Sequence, residues 1–145
     1  MSENNRSELI DHAKLCYELK RWEDTVDCMK KVIKMGKPLN YEERKLLFNA
    51  FTLKTDTLSD TLASFRSHSQ GNILVKNLTE KVAQEIIIHC DNAIEVLDDD
   101  LIKNDENVES IAHYKCGKVS QHYYKVLFMS DENKDIEVKK THKTF

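Results

Sequence analysis

Glycine occurs three times and proline once in 145 residues. Hairpins and tight turns draw on those two residues to reach positive φ or to fix a corner, so a fold of many strands and turns is excluded. No apolar run approaches the ~20 residues needed to cross a bilayer, and the polar opening MSENNRSE lacks the apolar core of a signal peptide. No membrane partner is expected, and the expected compartment is cytoplasmic. The cysteines Cys16, Cys28, Cys90 and Cys116 include no C-x-x-C pair. In a reducing compartment they read as thiols packed as small hydrophobes, without disulfides. The same compartment makes the sequon Asn77-Leu78-Thr79 a coincidence. The formal net charge is −3, and Lys and Arg are interspersed with Asp and Glu without forming a stripe. Nucleic acid is therefore not an expected partner. What is present, 40% hydrophobic and 32% charged residues, suits helices with one buried and one solvated face. One all-α domain spanning residues 1–145 is expected.

Helical periodicity runs through the chain. Leu9, Ala13, Cys16 and Tyr17 recur at spacings of three and four, as do Trp22, Val26, Met29 and Ile33, giving two amphipathic helices that join near Lys20-Arg21. Gly36 closes the second, and Pro38 fits the turn after it. Asn40 can cap a third helix with Glu43 in the reciprocal position and Leu47, Phe51, Leu58, Leu62 and Phe65 along its buried face, ending between Ser67 and Gly71. A fourth helix is expected from about Asn77 to Asp98, with Leu78, Val82, Ile86, Ala93 and Leu97 inward; the run Ile86-Ile87-Ile88 implies burial on more than one side. After a polar stretch, a fifth carries Ile111, Tyr114, Val119, Tyr123 and Leu127 and ends near Ser130 to Asn133. Residues from Asp135 to Phe145 are expected to begin a sixth helix that stops short, or to form a disordered tail.

Few side chains have the spacing of a reactive centre. His113 and Cys116 share a helix face, but two ligands do not make a zinc site; a surface histidine beside a packed cysteine is the simpler reading. His89 and Cys90 are neighbours on a helix and point to different faces. Asp98-Asp99-Asp100 lacks the spaced oxygens and central glycine of a calcium loop and reads as a solvated helix end. Tyr123-Tyr124 reads as core packing. Neither metal, cofactor nor catalysis is expected.

Several segments carry a more specific signal. Ala13-Lys14-Leu15 is followed by Arg21-Trp22-Glu23-Asp24; Cys28-Met29-Lys30 comes next, then Glu42-Glu43-Arg44-Lys45-Leu46-Leu47 with Ala50-Phe51. Glu80-Lys81, Glu85, Cys90, Leu97 and Leu101-Ile102 extend the pattern. In order and spacing these residues resemble the 14-3-3 family, over nearly the whole chain but only about the first five of that family's nine helices. The resemblance implies an antiparallel helical array and a non-enzymatic adaptor whose protomers pair through the first, third and fourth helices. It implies two reciprocal salt bridges across the two-fold axis, Arg21 with Glu85 and Asp24 with Lys81, around an apolar contact of Leu15, Cys16, Leu19 and Leu78.

The family's phosphate pocket is not matched as well. Its third-helix Lys and Arg fall on Thr52 and Ser59, and its fifth-helix Arg-Tyr pair falls on Lys125 and Val126, or on Tyr123-Tyr124 in a gapless register. Lys54 and Lys118 are the remaining nearby cations. The expected partners are a second copy or a 14-3-3 protomer, with phosphorylated clients bound weakly; a residual phosphoserine or phosphothreonine adaptor and a truncated product without selected activity are the alternatives. If the later helices are missing, cover is lost around Val119, Tyr123, Val126 and Phe128, and the fifth helix and tail should open first.

Overall fold

The computed structural model describes residues 3–68, 73–128 and 131–144, and all their regular structure is helical. The helices are α1 (Glu3–Glu18), α2 (Trp22–Lys34), α3 (Tyr41–His68), α4 (Ile73–Glu95), α5 (Val108–Phe128) and α6 (Asp131–Thr144). A π-helical segment, Val96–Ile102, continues α4. Each helix packs on the next in an antiparallel array, and α1 also reaches α3.

The junctions follow from local chemistry. At the end of α1 the Arg21 amide donates to the Cys16 carbonyl (2.9 Å) and the Lys20 amide to the Tyr17 carbonyl (3.0 Å), a Schellman closure. It requires positive φ at Lys20, which sits at 60°. For a residue with a Cβ that conformation costs about 1–2 kcal/mol. Gly36, at φ 86°, closes α2 without that strain. The Asn40–Glu43 box forms as expected: Asn40 Oδ1 accepts from the Glu43 amide and Glu43 Oε1 from the Asn40 amide, both at 2.9 Å. Arg6 of α1 adds a bidentate pair to the same carboxylate at 2.7 and 2.8 Å, so one glutamate caps α3 and ties α1 to it. Burial opposes ionisation of Glu43, but Arg6 and the Asn40 amide outweigh it and hold the carboxyl below its ordinary value.

Two apolar clusters form the core. The larger joins Ala13, Met29, Val32, Leu47, Ala50, Phe51, Ala93, Leu97 and Leu101 to the fully buried Tyr114. The smaller holds Leu62, Val82, Ile86 and Cys90, with Leu58, Phe65, Tyr124 and Phe128 packed against it. Burial of Cys90 pushes its thiol up to about 12.

Several expectations are corrected. Helix α4 begins at Ile73, ahead of Asn77, because Ile73, Leu74, Val75 and Lys76 contain no helix breaker. It passes Asp98 because Leu101 is buried; Asn104 Nδ2 then donates to the Asp99 and Asp100 carbonyls at the helix end. Ile88 is exposed while Ile86 is buried, so the isoleucine run is covered from one side. Tyr123 and Leu127 are exposed. The inward stripe of α5 is instead Ser110, Tyr114, Gln121, His122 and Lys125, because His122 and Lys125 meet carboxylates of α4 and α6 while Tyr124 and Phe128 beside them cover the smaller apolar cluster. Phe128 retains cover from the smaller cluster. The sixth helix starts at Asp131 and packs on α5. Of the expected stop for α3, Ser67 lies inside the helix, which runs to His68, and residues 69–72 fall outside the described residues, as do Ser130 and Phe145.

Candidate functional site

Three leucines of the expected pairing surface face outward: Leu15 is 52% exposed, Leu19 62% and Leu78 45%. Leu78 was also expected to point inward, but the beginning of α4 is covered on one side only. Cys16, expected beside these leucines, is buried in the single chain. Arg21 and Asp24 pair with each other at 2.5 Å across one turn. That hydrogen bond raises the Arg21 pKa. Lys81 and Glu85 are exposed on α4 and make no ion pair among the described residues. Glu85 stands on the rim of a cleft of about 350 Å³ between α2, α3 and α4. Val26, Phe51, Leu58 and Ile88 give its floor an apolar character, and Glu23, Asp27, Lys30 and Lys54 ring it. Lys54 lies 3.7 Å from Glu23. His89 lines the same cleft and donates from Nε2 to the Phe51 carbonyl at 3.0 Å. Burial, partly offset by that bond, keeps its pKa low.

The cleft between α3 and α5 is smaller and carries no cation. Its volume is about 190 Å³, and its lining includes Phe48, Thr52, His113, Gly117, Ser120 and Gln121. A Cβ on Gly117 would stand 3.2 Å from the Phe48 ring, so glycine lets these helices approach. Of Thr52, Ser59, Lys125 and Val126, only Thr52 lines this cleft; Ser59 and Val126 are half-buried elsewhere. Lys118 is taken by Asp98 at 2.9 Å.

Lys125 is buried and held by two carboxylates, Asp91 of α4 at 2.6 Å and Glu137 of α6 at 2.7 Å. His122 donates from Nδ1 to the other Glu137 oxygen at 2.6 Å. Burial disfavours charge on Lys125, but Asp91 and Glu137 more than restore it and raise its pKa. Burial likewise opposes the Glu137 charge, and Lys125 and His122 lower its pKa despite that. The sequence showed His122 and Lys125 at i, i+3, yet their partners come from two other helices and no spacing announces them.

The reading of His113 and Cys116 is also corrected. His113 Nδ1 accepts from Arg44 Nε at 3.0 Å, and its ring stacks on Tyr41 and meets the edge of Phe48. Cys116 is exposed and not packed. Arg44 also donates to the Leu39 carbonyl and Ser110 Oγ, so the Glu-Glu-Arg segment is structural on two of its three residues.

Among the described residues no helix is long and apolar enough to cross a membrane. A helical array with an outward leucine face and an uncharged cleft is the frame of an interaction scaffold. The family model for 14-3-3 protein matches residues 12–145. The chain is 32% identical to human 14-3-3 protein theta over 139 residues, covering 84% of this chain and 52% of that protein. It is 30% identical to 14-3-3-like protein 1 of Caenorhabditis elegans (95% and 58% covered) and 28% identical to 14-3-3 protein 2 of Entamoeba histolytica (90% and 58% covered). The chain belongs to the 14-3-3 family, whose members are non-enzymatic adaptors. It spans about half the length of the curated relatives it matches.

Proposed function

We propose that this chain is a cytoplasmic dimerisation module that pairs with itself or with a full-length 14-3-3 protomer and binds phosphopeptides poorly. The observation that carries the pairing is the outward set Leu15, Leu19 and Leu78 beside free Lys81 and Glu85. On association Arg21 and Asp24 exchange each other for Glu85 and Lys81 of a partner. Exposed ion pairs contribute only ~0–1 kcal/mol, so the exchange is nearly neutral. The leucines then supply the affinity and the charges set the register. In a mixed pair, the full-length protomer would contribute the one working groove.

Weak phosphopeptide binding follows from Thr52, Ser59 and the engagement of Lys125. Hydrogen bonds to charged groups are each worth ~1.5–3 kcal/mol, so two missing cations cost about 3–6 kcal/mol, roughly a hundredfold to ten-thousandfold in affinity. A phosphate reaching Lys125 must also displace two carboxylates.

The solution mass of the purified chain, alone and mixed with a full-length 14-3-3 protein, tests the pairing. Glu85→Lys should weaken association and the added Arg21→Glu should recover part of it. A chain that stays monomeric in both mixtures, or a double variant no better than either single one, removes the proposal. Micromolar binding of a phosphoserine peptide that disappears on dephosphorylation would favour the residual-adaptor reading instead.

A further inference from the structure

We propose that His12, Cys16 and Cys28 form a binding site for a soft divalent metal ion, Zn²⁺ by the chemistry of its donors, which clasps α1 to α2. One donor atom from each residue, an imidazole nitrogen and two thiol sulfurs, lies within 4.8 Å of both others. In tetrahedral zinc sites, sulfurs 2.3 Å from the metal stand about 3.8 Å apart, so the three donors reach binding geometry by side-chain movements of about 1 Å. His12 and Cys16 are four residues apart and share one face of α1, and Cys28 meets them from α2.

Packing alone accounts for two small buried thiols in a helix interface; the exposed imidazole of His12, one helical turn before Cys16, adds a third donor at the same point. Sulfur and imidazole ligands select zinc over magnesium and calcium, which take oxygen. The charge also suits the place: binding releases one proton from each thiol, and two thiolates with a neutral imidazole balance the ion beneath a half-covered surface. His12 is exposed while both cysteines are buried, which gives the ion a path from solvent and leaves a fourth position for water. His113–Cys116, the pair already set aside from the sequence, does not qualify, because no third donor joins it among the described residues.

Cobalt(II) is the probe, since tetrahedral thiolate ligation gives it intense visible and near-ultraviolet bands. Titration of the reduced full chain should produce those bands at one ion per chain, and Zn²⁺ should bleach them. Cys16→Ser and Cys28→Ser should abolish the bands, and Cys116→Ser should leave them unchanged. Loss of a group that merely orients a ligand costs about 10–100-fold in metal affinity, so His12→Gln should weaken binding at least about tenfold. Because His12 is exposed, that variant keeps its fold, and Zn²⁺ should raise the unfolding temperature of the parent chain well above that of His12→Gln. Absence of stoichiometric binding, equal binding by His12→Gln, or a Cys16–Cys28 disulfide in place of metal under reducing conditions would overturn the site.

Discussion

At one end of the molecule α1, α2 and the first half of α3 are joined by apolar contact, with Ala13, Met29, Val32, Leu47 and Ala50 all fully buried. At the other end α6 is held to α5 by charge, through Glu137 set between Lys125 and His122. The first kind of joint is worth what its area is worth and tolerates apolar side chains of similar volume. The second offers little over an apolar replacement, yet removing one partner strands the others, so it is brittle in a way that area is not.

The largest effect should come from the apolar end. Leu47→Ala removes a fully buried side chain and should cost about 2–5 kcal/mol, read as a shift in the urea midpoint without loss of helix content before unfolding. At the polar end Glu137→Ala should cost about 3 kcal/mol, at the low end for a broken buried pair because Asp91 still serves Lys125. Amide exchange should then quicken in α6 and the last turn of α5 while α1 and α2 stay protected. Replacing Lys125 by Met and Glu137 by Leu together should recover most of the loss. No recovery would mean the cluster does more than pair charges.

Acid should weaken both ends. His89 and His113 are held below their ordinary pKa, in both cases first by burial, so the unfolded chain takes up protons that the folded one refuses. Their contribution is complete above about pH 6.5 and is lost as pH falls through the folded values. The lowered pKa values of Glu43 and Glu137 add a second loss below about pH 4.3. Urea midpoints at several pH values should show both steps, and Glu137→Gln should shrink only the second. The smallest effect is a gain: Lys20→Gly relieves left-handed strain but frees the unfolded chain, for a net stabilisation of about 0.5 kcal/mol in the same assay.

This contrast also explains what could be read from the sequence. Periodic apolar residues announced α1 to α3 and the inward face of α4, since Leu47, Phe51, Val82 and Ile86 each carry their own reason to be buried. The Asn40–Glu43 cap was legible because both partners lie within one turn. Leu15 and Leu19 were legible as outward residues only through family resemblance. The lower half of α5 was misread because hydrophobicity favoured Tyr123 and Leu127, whereas the buried positions belong to His122 and Lys125, whose partners stand 12 to 15 residues along the chain on α6, and on α4. The His12–Cys16–Cys28 group escaped for the same reason: its i, i+4 half was visible, but its third member comes from another helix.

Arg44 holds a last consequence. Its guanidinium is satisfied by the Leu39 carbonyl, the Ser110 hydroxyl and His113 Nδ1, and it lies 5.9 Å from the centres of the Tyr41 and Tyr114 rings. A ring nitrogen that accepts from a guanidinium must present its lone pair, so the imidazole hydrogen of His113 is confined to Nε2. His113 is thus fixed as a single tautomer. A nitrogen-15 spectrum at neutral pH should show two widely separated ring resonances for it, in place of the averaged pair of a freely exchanging histidine.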